Sequence, residues 1–240
     1  MAHLFRFFVN PEYIKDNKAI ITNKELVFRI SRVLRLQLRE RIAILDNKGN
    51  EYICTIDSIN NAQVSLNILK KESHKEKIEL NVYASLIKKP RFELTVEKLT
   101  EIGVSKITPV ISKNCKINSI NIERLRKIAK ESAEQSGKYF IPEIGEVRNL
   151  NDIIKEVKND FNVVLYKNAK DKISSIKKSD KINLFIGPES DFTDEEIETF
   201  IENKFKLVTL GDQLFRTETA AIIGAYLINS KCVVRAKIKI

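Results

Sequence analysis

Apolar positions recur along the chain in two ways. Over 24–36 (KELVFRISRVLRL), Leu26, Val27, Ile30, Val33 and Leu34 fall on a helical period. That period sets Arg29, Arg32 and Arg35 three apart, on one predicted helix face. Residues 2–8, 41–45, 51–59 and about 62–69 read as strands. Between the second and third of these, Asp46-Asn47-Lys48-Gly49-Asn50 reads as a hairpin turn, with Gly49 supplying the positive φ. The almost wholly polar run 70–77 (KKESHKEK) then breaks the pattern and is the best linker candidate. The pattern predicts a small β-rich domain over 1–72 carrying one basic helix, and a second domain over 73–240.

Beyond the linker, strands and helices alternate. A strand at 78–87 leads to Pro90, which suits a first helical turn. Phe92, Leu94, Val96, Leu99 and Ile102 continue that helix to Gly103. A strand at 106–111 follows, then a helix over about 121–136 closed by Gly137, and another near 150–158. The apolar runs 161–166 (FNVVLY) and 182–186 (INLFI) are those of strands buried on both faces of a parallel sheet. Thr193-Asp194-Glu195-Glu196 is a capping box. A strand at 205–210 and a helix over about 217–230 complete an α/β domain with a mostly parallel sheet.

Candidate chemistry collects after the strands of this second domain. Ligands of open α/β sheets bind beyond the carboxyl ends of the strands. Ile186-Gly187-Pro188-Glu189-Ser190-Asp191-Phe192 lies there, between a buried strand and a capped helix. So does Leu210-Gly211-Asp212-Gln213-Leu214-Phe215-Arg216-Thr217-Glu218-Thr219. Thr217 is a plausible N-cap and Glu218 suits the first turn's dipole, so both have structural roles available. Arg216 stands where a helix start disfavours a cation, and is harder to explain structurally. The polar end of the 121–136 helix, Glu131 to Lys138, reads as a solvated cap.

Composition narrows the field. The 42 Lys and Arg residues against 32 Asp and Glu give a formal +10, which favours polyanionic partners. Arg6, Arg29, Arg32, Arg35, Lys89, Arg91, Lys113 and Lys138 are the candidate phosphate contacts. The three cysteines and two histidines have no metal-ligand spacing, so no metal is expected. No dinucleotide fingerprint or phosphate-binding P-loop is present. With no signal peptide and no run long enough for a membrane span, the expected setting is the cytoplasm, with the thiols reduced and buried.

In order and spacing, a set of segments resembles the RsmE family of the SPOUT superfamily over nearly the whole chain. It comprises Arg6-Phe7-Phe8, Arg32-Val33-Leu34-Arg35-Leu36, Lys89-Pro90-Arg91-Phe92-Glu93 and Glu97 to Val104. It continues through Ala133-Glu134-Gln135-Ser136, Pro142, Gly187-Pro188-Glu189, Leu210-Gly211, Leu214 and Arg216 to Ala220. The resemblance implies a small PUA-like β-barrel that binds RNA, then a SPOUT α/β domain with a deep trefoil knot at about 160–230. It implies a homodimer that methylates N3 of a uridine in 16S ribosomal RNA of the small subunit, with S-adenosylmethionine as cofactor. The implied cofactor-binding residues are Leu165, Tyr166, Ile186, Gly187, Pro188, Glu189, Leu210, Gly211, Leu214, Thr217 and Thr219. The implied catalytic residues are Arg216, Glu218 and Glu189. Three departures stand out. Ser190-Asp191 replaces Gly-Gly, Ser112-Lys113-Asn114-Cys115 lacks the usual Arg, and Asp212-Gln213 replaces a small or Pro-Arg pair. The rival expectations are a non-catalytic RNA-binding or ribosome-assembly protein on the same fold, and a SPOUT methyltransferase with another RNA target.

Overall fold

The computed structural model describes residues 4–75, 78–157 and 159–232. The chain divides into two units. The first holds the described residues of Met1–Glu76 together with Ala133–Phe140; the second holds those of Lys77–Ser132 and Ile141–Ile240.

In the first unit, β1 (Phe5–Phe8), β2 (Ile14–Lys15), β3 (Lys18–Ile21), α1 (Lys24–Phe28), β4 (Arg41–Leu45), β5 (Asn50–Ile59) and β6 (Val64–Ser73) follow in chain order. The six strands form one sheet in the order β1-β4-β5-β6-β3-β2. β1 runs parallel to β4 and every other pair is antiparallel. Phe7, Ile21, Ile30, Ile42, Ile44, Ile56 and Leu66 build its core. Gly49 has φ +88° at the β4–β5 turn, where a Cβ would lie 2.2 Å from the His74 carbonyl oxygen, so only glycine fits.

The predicted helix over 24–36 is interrupted. The α-helical turns end at Phe28 and the chain continues as a π-turn, Arg29–Val33, in which the Leu34 N–H donates to the Arg29 carbonyl at 2.9 Å. Arg35 then takes φ +53°, outside any helix. Arg29, Arg32 and Arg35 therefore do not share a helix face. The wider turn turns Val33 and Arg32 outward, where both are exposed.

The second unit contains β7 (Glu79–Ser85), α2 (Lys89–Ile102), β8 (Lys106–Ile111), α3 (Ile122–Ser136, whose last residues belong to the first unit), β9 (Glu143–Ile144), β10 (Arg148–Asn149) and α4 (Leu150–Val157). After these come β11 (Asn162–Leu165), β12 (Lys181–Ile186), α5 (Asp194–Glu202), β13 (Lys206–Val208) and α6 (Thr217–Cys232). The sheet order is β10-β8-β7-β12-β11-β13 with β9 on β8, and every pair is parallel.

Alternation within the apolar runs explains their lack of polar positions. Val82, Val163, Leu184 and Ile186 pack with Phe92, Val96, Leu99, Ala221 and Ala225 of α2 and α6. Their strand neighbours Tyr83, Val164 and Phe185 pack with Ile153, Ile154, Ile197 and Phe200 of α4 and α5. Both faces of each strand are thus covered by helices, which demands continuous hydrophobicity. Gly103 ends α2 with φ 92°, its N–H on the carbonyls of Leu99 and Thr100. Toward the strands' N-terminal ends, Asn81, Asn183 and Asn162 form a buried ladder, with amide bonds of 3.1 and 2.9 Å. Each buried amide needs its neighbour, so the ladder fixes the register of β7, β12 and β11. Among the described residues no helix is long and apolar enough to cross a membrane.

Candidate active site

At the opposite, carboxyl ends of β11, β12 and β13 the chain leaves the sheet three times, and the exits enclose a cleft of about 310 Å³. Leu165, Tyr166 and Lys167 line it from the first exit, Ile186 to Asp191 from the second, and Thr209, Leu210, Gln213, Leu214, Phe215, Thr217 and Ala220 from the third. A parallel sheet places every strand's free end on one side, which is why segments distant in sequence meet there. Gly187 sits where a Cβ would come within 3.2 Å of both Asp191 Oδ1 and Phe192 Cδ2. Gly211 takes φ +126° and turns the third exit.

The cleft gathers most of the sequence-predicted cofactor residues: Leu165, Tyr166, Ile186, Gly187, Pro188, Glu189, Leu210, Leu214 and Thr217 all line it. Gly211 and Thr219 do not; the first acts on backbone shape and the second lies half-buried in α6. Thr209, which the sequence did not single out, and Ala220, named there only as the end of a matching segment, also line it. The sequence signal for Thr209 is position alone, one residue past a strand.

Beside the cleft an ion-pair group forms that sequence spacing could not show. Arg91, in the first turn of α2, donates from Nη1 to Glu189 Oε1 at 2.7 Å and holds Nε 3.6 Å from Glu218 Oε1. Glu218's side chain is 9% exposed, and its Oε2 is buried with no hydrogen-bond partner among the described residues. A buried carboxylate oxygen left unpaired is costly, so it marks a place where a donor is expected to arrive. Arg216 is exposed and forms no ion pair among the described residues, leaving its guanidinium free for a ligand.

The two departures at 190–191 and 114 prove to touch. Asp191 takes φ +68°, and its backbone carbonyl accepts a hydrogen bond from Asn114 Nδ2 at 3.0 Å. Its Oδ1 accepts from the Phe192 N–H at 2.9 Å. Asn114 is itself held in place, because the Lys113 N–H donates to buried Glu196 of the α5 capping box at 2.8 Å. Burial raises the Asp191 carboxyl above its ordinary value, against the opposing hydrogen bond from Phe192 and the charge of Lys167. A raised folded-state value means the carboxyl stabilises the fold at low pH and loses that contribution as pH rises through it. Asp191→Asn keeps the turn and the acceptor while removing the half-buried charge. The variant should therefore melt above the wild type near neutral pH. The gap should close as pH falls through the range where Asp191 protonates, as read by calorimetric melts across pH.

The predicted phosphate contacts separate into paired and free. On the first unit, Arg6 donates to buried Glu51 at 2.9 Å and Arg29 to buried Glu134 at 2.5 Å. The backbone N–H of half-buried Lys138 closes α3 on the Ala133 carbonyl. Arg32 and Arg35 are exposed and form no ion pair among the described residues. On the second unit, Lys89 is exposed, Arg91 is committed to the two glutamates, and Lys113 pairs with Glu195 at 2.8 Å. The end of α3 is not the solvated cap its polarity suggests. Ser132, Ala133 and Glu134 are buried, and Glu134 Oε1 also accepts the Phe8 N–H at 3.0 Å.

Among the described residues one group could hold a metal: Glu51, Glu72 and His74 bring ligand atoms within 4.8 Å of one another. Arg6 at 2.9 Å and Lys70 at 2.5 Å already neutralise the two carboxylates, so the group reads as an ion-pair network. Cys54 is buried, which pushes its thiol up to about 12, and Cys115 is half-buried; the Cys232 side chain lies outside the described residues.

Comparison with known proteins bears on this site. A family model described as an RNA methyltransferase domain matches residues 74–229. The chain is 31% identical over 241 residues to the ribosomal RNA small subunit methyltransferase E of Rickettsia conorii, covering 95% of this chain and 97% of that one. It is 26% identical over 237 residues to the Bacillus subtilis protein of the same name, covering 90% and 93%. Its fold matches a crystal structure of a ribosomal RNA small subunit methyltransferase E from Neisseria gonorrhoeae bound to S-adenosyl methionine. That match has a TM-score of 0.85 and 26% identity, over 93% of this chain and 95% of that one.

Proposed function

The chain belongs to the ribosomal RNA small subunit methyltransferase E family of RNA methyltransferases, and on that premise we propose that it methylates N3 of a uridine in 16S ribosomal RNA, using S-adenosylmethionine. The observation that carries the reading is the three-walled cleft beyond β11, β12 and β13, in a chain whose structural relative is described with that cofactor bound.

The residues present fit the group. The cleft's volume is within the range of small-molecule sites. Leu165, Ile186, Leu210 and Leu214 offer apolar surface for an adenine ring, and Glu189, Thr209 and Thr217 offer polar groups for the ribose and amino-acid moieties. Gly187 leaves room for Asp191 and Phe192 to pack against the second exit. When bound, S-adenosylmethionine supplies an electrophilic methyl group on a sulfonium.

The chain's own residues supply the rest. Uracil N3–H is weakly acidic and must lose its proton before N3 can accept a methyl group. Glu218 Oε2 is the acceptor we assign to that proton, being buried and unpartnered. Arg216 is assigned to the charge that develops on the flanking uracil carbonyls. Arg91 orients Glu189 and Glu218. An in-line transfer gains much of its rate from such positioning, and the target base leaves its stack to reach the site.

The finer architecture belongs to the same proposal. The first unit's six-stranded mixed sheet supports a PUA-like barrel that contacts RNA. A trefoil knot at about 160–230 is supported by strand order: β12 enters between β7 and β11, β13 lies beyond β11, and α6 returns to pack on α2 and β7. Exposed Leu214, Phe215 and Tyr226 support a homodimer.

The test is methyl transfer from labelled S-adenosylmethionine to small ribosomal subunits from a strain lacking this protein, with the product nucleoside identified by mass. N3-methyluridine at one site is the expected result. A different modified nucleoside would move the target, and RNA binding without cofactor binding would replace the enzyme with an RNA-binding assembly protein.

A further inference from the structure

A second cleft lies on the first unit, between the π-turn with its following loop and the turn joining β5 to β6. It measures about 340 Å³, and Arg32, Gln37, Leu38, Ile59, Asn60 and Asn61 line it. Three observations set it apart.

The first is charge. Arg6, Arg29 and Lys70 of this unit pair with acids. Arg32, Arg35, Arg39 and Arg41 are exposed and form no ion pair among the described residues. Four unneutralised guanidinium groups within ten residues suit a polyanion with closely spaced phosphates.

The second is backbone shape. Arg35 and Arg39 both hold left-handed conformations, φ +53° and +69°. Such conformations in large side chains persist only where surrounding structure enforces them, and they cluster at binding sites. Here the enforcement is visible: the Leu36 N–H donates to the Ile30 carbonyl at 3.1 Å, and the Arg39 N–H to the Ile56 carbonyl at 2.8 Å. The π-turn just before the loop is another feature common at functional sites.

The third is the chemistry of the lining. Leu38 is 59% exposed, an apolar side chain left facing water. The amides around it are only partly used. Asn61 Oδ1 accepts from Arg32 Nη2 at 3.2 Å, Gln37 Nε2 donates to the Arg35 carbonyl at 2.8 Å, and Asn60 Oδ1 accepts from the Ala62 and Gln63 N–H groups. Among the described residues the Asn60 and Asn61 amino groups and Gln37 Oε1 have no partner, a mixed set of donors and acceptor matching the edge of an unpaired base.

We propose that this cleft holds one unstacked nucleotide of single-stranded RNA, its base on Leu38 and the amides, its flanking phosphates on Arg32, Arg35 and Arg39. The proposal rests on the RNA-methyltransferase reading above and adds a contact point for the substrate on the first unit. It also replaces Arg6 and Arg29, which are committed internally, as the unit's RNA contacts.

The test uses the full chain and a fluorescent single-stranded RNA dodecamer of mixed sequence, with its duplex as control. Leu38→Ala combined with Asn61→Ala, both on exposed positions, should weaken single-strand binding by about tenfold. Duplex affinity and the salt dependence should stay unchanged. Arg35→Ala should weaken both and lower the salt slope by about one. Wild-type single-strand affinity in the Leu38/Asn61 variant would overturn the site. So would unchanged RNA affinity accompanied by a raised KM for small subunits, which would assign the surface to a subunit protein. The failures are separable: if the wild-type enzyme makes N3-methyluridine while the variant keeps its KM for the subunit, this site alone is wrong.

Discussion

Glu218→Gln is expected to lower the methylation rate at saturating substrate by about 10²–10⁴-fold, the range over which a positioned general base acts, while S-adenosylmethionine affinity changes by no more than about threefold. The two carboxylates have different surroundings. Glu189 is exposed, and its Oε1 is engaged by Arg91 at 2.7 Å. Glu218 is buried, touches Arg91 only at 3.6 Å, and keeps Oε2 without a partner. Gln preserves volume and shape but cannot take up a proton. Single-turnover kinetics read the chemical step, and equilibrium dialysis reads cofactor binding. Arg216→Ala should show the same split, because its free guanidinium acts on charge that forms during transfer. Equal losses in rate and cofactor affinity would make either residue a binding group. An unchanged rate in Glu218→Gln with a large loss in Glu189→Gln would exchange the two glutamates' roles.

What was legible in the sequence depended on how local its cause is. Val163 to Leu165 and Ile182 to Ile186 read as buried parallel strands because helices on both faces require unbroken apolar runs. The Thr193–Glu196 capping box and the Gly103 helix end are likewise local, set by hydrogen bonds spanning a few residues. β2 and β3 gave no such signal. β2 is two residues long, and in β3 the outward Ile20 is 45% exposed, which masks the alternation of buried Ala19 and Ile21. The 24–36 segment has a helical period throughout, yet the register slips at the π-turn because the loop beyond it is tied to β5 through Arg39 and Ile56.

The candidate site divides in the same way. Loops that follow strands could be named as cofactor walls, since topology alone brings them together. Pairings across long separations could not. Arg91 reaches Glu189 and Glu218 over 98 and 127 positions in sequence, and Asn114 reaches Asp191 over 77. By periodicity Arg91 is one more surface cation; only the fold turns it into the group between two carboxylates. Arg29 is the reverse case, a cation that seemed available and is neutralised by a glutamate 105 positions away.

That last pairing carries a large expected stability effect for a polar residue. Glu134→Ala should destabilise the first unit by about 2–4 kcal/mol, somewhat under the loss for breaking a fully buried ion pair, because Arg29 is one-third exposed. The Glu134 side chain is 2% exposed and serves two donors, Arg29 Nη1 and the Phe8 backbone N–H. Truncation leaves a cation without its partner and a buried N–H in β1 unsatisfied, each with its own desolvation penalty. Glu134→Gln should fall between, since its oxygen still accepts from Phe8 while the charge is gone. Urea unfolding, followed together with hydrogen exchange at the Phe8 amide, separates the two contributions. Exchange should accelerate in the Ala variant far more than in the Gln variant. If Glu134→Ala instead cost under about 0.5 kcal/mol, as surface pairs do, the Arg29 guanidinium would be held by nothing of consequence. It would then rejoin Arg32 and Arg35 as a cation free to meet RNA.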